Sequence, residues 1–179
     1  MPKIALVPKI AVISAVCAGA YLSPSLTYPE VATPNSTPVR IAVFDFELDD
    51  QSPTADYLGK TTSDAGAMEK VSKEARRALS ESGRYKVIDV PKDDPRTRTP
   101  TPLRKCDGCE AHIALQLGAD QSLMGVVSKV NETDYYVVIQ IREASTGKLL
   151  DQQEANFVGS EEGWPSGVRM LIRHQLLLE

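Results

Sequence analysis

A chain of 179 residues that is 42% hydrophobic, 25% charged and 6% aromatic has room for one core of ordinary size. Collagen-like, disordered and disulfide-dense scaffolds are excluded. Twenty Lys and Arg against 24 Asp and Glu give a net charge of -4, so no overall positive field exists to hold nucleic acid or an anionic membrane.

Residues 1–20 carry Lys3 and Lys9, no acid, and then the apolar run Ile10–Ala20. That charge-then-apolar order predicts a secretory signal peptide, with Ala18-Gly19-Ala20 supplying the small residues for cleavage after Ala20. The run is far short of the ~20 residues that span a bilayer, so no transmembrane segment is expected in the exported chain. Cys17 offers the rival reading of a lipidated first residue. Val16 stands before it, where a lipoprotein signal calls for Gly or Ala, so export to the periplasm without a lipid anchor is the expectation.

Residues 21–38 hold Pro24, Pro29, Pro34 and Pro38 among Ser, Thr and Asn, which predicts an extended leader. A single α/β domain is expected over residues 39–179. Val39–Leu48, rich in β-branched and aromatic residues, reads as its first strand. Ala67–Ser82 then puts Val71, Ala75, Ala78 and Leu79 at helical spacing, closed by Gly83. Tyr85–Val90 reads as a second strand, and Pro91–Pro102 as a loop with nothing to bury. Glu110–Leu117 is a short helix that Gly118 closes.

Gln121–Val130, Tyr135–Ala144 and Lys148–Val158 follow as three strands, with turns at Asn131–Asp134 and Ser145–Lys148. In the middle one Tyr135, Val137, Ile139 and Ile141 share one face, while Tyr136, Val138, Gln140 and Arg142 share the other. Glu161–Leu178 is a closing helix, with Pro165 in its first turn and Val168, Leu171, Ile172 and Leu176 on one stripe. The order β-α-β-α-β-β-β-α implies an α+β fold of two layers, a mixed sheet of about five strands with helices mainly on one face.

Past the expected cleavage site two cysteines remain, Cys106-Asp-Gly-Cys109, just ahead of a helix. In an oxidising compartment the first reading is a structural disulfide fastening loop to helix. A redox-active dithiol is the second, since a helix N-terminus lowers a thiol pKa. The third is a metal site in which His112 joins Cys106 and Cys109. Another oxygen-ligand candidate is the row Asp45, Glu47, Asp49, which period-two geometry places on one side of the first strand. Asp45, between Phe44 and Phe46, is expected to be half-buried on backbone donors. Trp164 reads as a core anchor. No phosphate loop, nucleophile elbow or dinucleotide fingerprint occurs, so no catalytic residue and no cofactor is assigned.

Four stretches together carry a resemblance: Ile41–Asp50, Ser82–Asp89, Cys106–Glu110 with Leu117–Asp120, and the Ala144–Gly147 turn followed by Trp164 and Gly167. They resemble a family of secreted bacterial proteins of unknown function over nearly all of residues 40–178. The first strand and the Leu117-Gly-Ala-Asp120 step into the next strand are also similar to the α/β domain shared by the N-terminal part of TolB and by the CsgG and penicillin-binding-protein-activator lipoproteins. The likeness implies a non-enzymatic accessory or protein-interaction domain of the periplasm whose partner is another envelope protein. The alternatives are a periplasmic ligand or metal carrier serving an exported oxidoreductase, and a thiol oxidoreductase using Cys106 and Cys109.

Overall fold

Ten strand-forming residues run from Val39 to Leu48, yet the sheet takes them in two pieces. The computed structural model describes residues 37–58, 62–98 and 101–178. The expected signal peptide, Cys17 and all but the end of the expected leader lie outside these residues. β1 is Val39–Val43 and β2 is Glu47–Asp50, and both pair in parallel with β4, Gln121–Lys129. Val43 faces Leu123 and Glu47 faces Val126, so Phe44, Asp45 and Phe46 stand against Met124 and Gly125 alone. One extra residue makes a bulge, and a bulge reverses the side on which every later side chain emerges. Phe44 therefore enters the core on one face of the sheet and Phe46 the core on the other. Asp45, the extra residue, has half of its side chain exposed and its carboxylate on the Arg76 guanidinium, which corrects the backbone donors expected for it.

α1 is the single turn Ala55–Leu58, and α2 runs over Thr62–Glu81. α2 begins five residues before its expected start, and Asp64 in its first turn is buried with the Lys129 ammonium 3.8 Å away. Val71, Ala75, Ala78 and Leu79 are all buried, as their spacing requires. Gly83, at φ +68°, ends the helix in the left-handed conformation that glycine adopts freely. β3 is Tyr85–Asp89, parallel to β1.

The loop after β3 does bury something. Asp94 is 5% exposed, because the backbone N–H and guanidinium of Arg96 occupy its carboxylate and hold its pKa down to about 2. α3 is Cys109–Gln116, and β5, Asp134–Glu143, and β6, Leu149–Val158, complete an antiparallel meander with β4. The expected closing helix is interrupted. α4 is Trp164–Leu171, preceded by a 3-10 turn at Glu161–Gly163 and followed by a π-helical turn at Ile172–Leu176, where the Leu177 N–H reaches back to the Ile172 carbonyl.

The result is a six-stranded mixed sheet in an α+β fold, in the order β3-β1-β4-β5-β6, with β2 continuing the line of β1 beside β4. α2 and α4 cover one face, over a core that includes Ile41, Phe46, Leu123, Ile139 and Trp164. α3 covers part of the other, over Ala42, Phe44 and Met124. Right-handed crossovers require this division. β1 to β3 steps one way along the sheet, β3 to β4 steps back past β1, and the same hand places the two connecting helices on opposite faces.

Candidate functional site

β3 stops at Asp89 while the β1–β2 line continues, so among the described residues no strand lies beside the bulge on that side. Side chains of α2 satisfy the backbone left free there. The Phe46 N–H donates to Ser72 Oγ at 2.9 Å, and that hydroxyl donates in turn to the Met68 carbonyl at 2.9 Å. Arg76 donates to the Val43 carbonyl at 3.0 Å and to the Asp45 carboxylate at 2.7 Å. A crevice of about 490 Å³ opens here, lined by Asp45, Phe46, Met68, Ser72, Arg76 and Lys92 among others. Two connections diverging from the carboxyl ends of parallel strands create such a crevice, the usual ligand position in open α/β sheets.

Apart from the exposed Lys73, the polar side chains that line it are engaged. Lys92 lies 3.0 Å from Glu69, Asp45 is held by Arg76, and the Ser72 hydroxyl both accepts and donates. Glu47 and Asp49 leave β2 on the opposite face, where Arg104 binds them at 2.9 and 3.3 Å and the Leu103 N–H donates to Glu47 at 2.7 Å. The carboxylate row expected from the sequence is thus split by the bulge: Asp45 serves one face, while Glu47 and Asp49 fasten the loop that leads to the cysteines.

The second cluster lies at the start of α3. Cys106 and Cys109 have their Cα atoms 5.7 Å apart and their Sγ atoms joined. Asp107 and Gly108 turn the chain with φ of +44° and +100°. His112 is exposed and is not brought to the sulfurs. Glu110 is brought to them instead: it is 1% exposed, and one of its carboxylate oxygens lies within 4.8 Å of both Sγ atoms. Arg142, on the polar side of β5, sits over this carboxylate with Nε 3.2 Å from Oε1. Its guanidinium also donates to the Gly147 carbonyl at 3.1 Å and to Asp107 at 3.0 Å. Nε and Oε2 make no hydrogen bond, so the Glu110–Arg142 contact is a charge contact of imperfect alignment.

Burial pushes the Glu110 carboxyl above its ordinary 4.5, and the Glu110 and Gly108 N–H groups and Arg142 oppose that push. An acid with a raised folded pKa gives the fold its greatest stability below the unfolded pKa, and that stability falls as pH rises. Removing the cation raises this pKa further. Arg142→Met is therefore expected to cost about 2 kcal/mol at pH 7, below the ~3–5 kcal/mol of a fully buried broken pair because part of Arg142 meets water. The deficit shrinks toward pH 4.5, and urea unfolding of both proteins at the two pH values measures it. An equal deficit at both would remove Glu110 from the explanation.

The third feature is an edge. β6 is ten residues long and, among the described residues, pairs with β5 alone, through a bulge between Ile141 and Arg142. Its alternate residues from Leu150 to Val158 are exposed, Val158 by 84%. It carries Asp151 and Glu154 and no cation. Beside it, on the face away from α2 and α4, Tyr136, Val138 and Gln140 border a depression of about 290 Å³.

The residues that sequence reasoning did not assign are Ser72, Arg76, Glu110 and Arg142. Two signs pointed to them: a serine inside an apolar helix stripe, and a glutamate at the first turn of a short apolar helix.

Among solved structures the chain is similar to the PelC dodecamer from Paraburkholderia phytofirmans, at 15% identity over 79% of this chain and 86% of that one, with a TM-score of 0.49. It is also similar to lipoprotein GNA1162 from Neisseria meningitidis, at 16% over 79% and 100%, TM-score 0.49. TolB from Acinetobacter baumannii is similar at 15% over 79% and 29%, TM-score 0.46. No curated protein matches. The family model DUF3280, described as "Protein of unknown function (DUF2380)", matches residues 39–176, which takes in every strand and helix described above, and the chain belongs to that family.

Proposed function

We propose that this chain is a non-enzymatic accessory domain of the bacterial cell envelope that binds an extended, cationic segment of a partner protein as an added strand beside β6. The observation that carries the reading is the edge itself. Natural sheets protect exposed edges with short strands, proline, bulges or charged side chains, lysine above all, and of these β6 has a bulge at Leu150 and two acids. β3, the opposite edge, has five residues and Lys86. β6 has ten, with no Lys, Arg or Pro, and its two acids favour a basic partner.

The non-enzymatic reading draws on the crevice, where the hydroxyl and the carboxylates described are bound to backbone, arginine or lysine. The periplasmic reading draws on the order of charge and apolar residues in 1–20 and on the Cys106–Cys109 bond, which persists in oxidising compartments. We assign that bond the role of holding the loop against α3. Closing so short a loop contributes roughly 2 kcal/mol by the chain-entropy relation. Residues 1–20 are read as the signal peptide, 21–38 as a leader and 39–179 as one domain.

A photo-crosslinking residue placed at Gln152 or Asn156 tests the proposal in intact cells, with Ser80 on α2 as control. The expected outcome is a discrete adduct with an envelope protein from both β6 positions, weakened by Glu154→Lys and absent from Ser80. Equal labelling from Ser80, or none from β6, would refute the edge as the docking element.

A further inference from the structure

We infer that Cys106, Cys109 and Glu110 form a redox-gated site for a thiophilic divalent cation, zinc above others, with one coordination position left to solvent. Glu110 is 1% exposed, and its Oε2 has no hydrogen-bond partner. A buried carboxylate oxygen without a partner is costly unless something binds it. Each of the three residues offers one ligand atom, and those atoms lie within 4.8 Å of one another. Zinc–sulfur bonds of ~2.3 Å and zinc–oxygen bonds of ~2.0–2.2 Å arranged tetrahedrally call for sulfurs about 3.8 Å apart, so the bonded pair must open on reduction while the Glu110 oxygen draws slightly nearer.

Charge agrees in both states. With the sulfurs joined, Glu110 is balanced by Arg142. With two thiolates and a bound divalent cation, the cluster carries one negative charge, and the same guanidinium balances it. His112, the third ligand expected from its spacing, is exposed and takes no part.

The gate is a two-electron exchange. A dithiol donor is oxidised to its own disulfide as the Cys106–Cys109 bond breaks, and its two protons pass to the cysteine sulfurs. Zinc then displaces those protons to solvent. In the reverse direction a disulfide oxidant takes two electrons from the thiolates, the Cys106–Cys109 bond forms, the oxidant leaves as two thiolates, and the cation is released. A joined pair of sulfurs is not a thiolate ligand set, so binding and disulfide exclude one another.

The test titrates Zn²⁺ and Co²⁺ into the full chain, oxidised and after reduction by a phosphine, which does not itself supply thiols. The reduced chain is expected to bind one ion at micromolar concentration or below, with thiolate-to-cobalt charge transfer in the near ultraviolet, and the oxidised chain none. Losing even an outer-shell partner of a metal site costs ~10–100-fold, so Glu110→Gln is expected to weaken binding by at least about tenfold, and His112→Ala to leave it unchanged. Absence of binding in the reduced chain, equal binding in both redox states, full affinity in Glu110→Gln, or loss of affinity in His112→Ala would each overturn the proposal. Should Glu110→Gln fail to fold, the cobalt spectrum of the unaltered reduced chain decides: tetrahedral visible bands with two-thiolate intensity support the site, and their absence overturns it.

Discussion

Gly125→Ala is expected to lower stability by about 3–4 kcal/mol, a large share of the ~5–15 kcal/mol that holds an ordinary domain together. A Cβ at Gly125 would stand 2.1 Å from the Phe46 ring, with two further ring carbons at 2.3 and 2.4 Å. The ring cannot slide aside within the core, because Ser72 holds the Phe46 N–H and close-packed neighbours surround the side chain. Phe46 must therefore leave its position, and losing a buried phenylalanine costs ~3–5 kcal/mol. The methyl would occupy the vacated space, so Gly125→Ala in a Phe46→Ala background should add less than about 0.5 kcal/mol, a strong coupling in a double-mutant cycle. Urea unfolding of the four proteins measures this. A single Gly125→Ala variant as stable as the parent would mean that Phe46 does not lie over this glycine.

Deleting Asp45 is expected to abolish folding, whereas Asp45→Ala should cost less than about 1 kcal/mol, the range of an exposed ion pair. The contrast follows from phase. Without the extra residue the chain after Phe44 emerges on the wrong sides: Phe46 and Leu48 turn from the α2 face to the other, and Glu47 and Asp49 turn into the core. Two carboxylates would be buried away from Arg104, and each costs several kcal/mol without a partner. Far-ultraviolet circular dichroism and a cooperative melting transition distinguish the outcomes. A deletion variant that melts like the parent would show that the bulge does not set the register.

The bulge also marks where sequence reasoning stops. Every residue of Val39–Leu48 suits a strand, and local propensity carries no sign of a one-residue phase change. The available sign was distant: a glycine inside the apolar run Gln121–Lys129, which announces close approach by another group. The period-two and helical patterns were legible because burial on one face fixes them. Tyr135, Val137, Ile139 and Ile141 are buried together, and so are Val71, Ala75, Ala78 and Leu79. Which strand ends the sheet was not legible, since it depends on pairing order and no strand encodes its neighbours. At the cysteines, spacing suggested His112. The first turn of α3 instead turns Glu110 inward beneath Arg142, a residue 32 positions away that the alternation of β5 had already placed on the polar face. Contacts across such distances arise from the fold and not from any local pattern.

Hydrogen exchange along β6, with and without the partner captured by crosslinking, tests the docking edge most directly. In the free protein the amides of β6 that alternate away from β5 should exchange fast and the others slowly, because one side alone of this strand is paired. On binding, the fast set should become protected over several consecutive alternate positions between Leu149 and Val158, while amides of α2 keep their rates. Protection that appears on α2 or β3 instead, with β6 unchanged, would contradict the account.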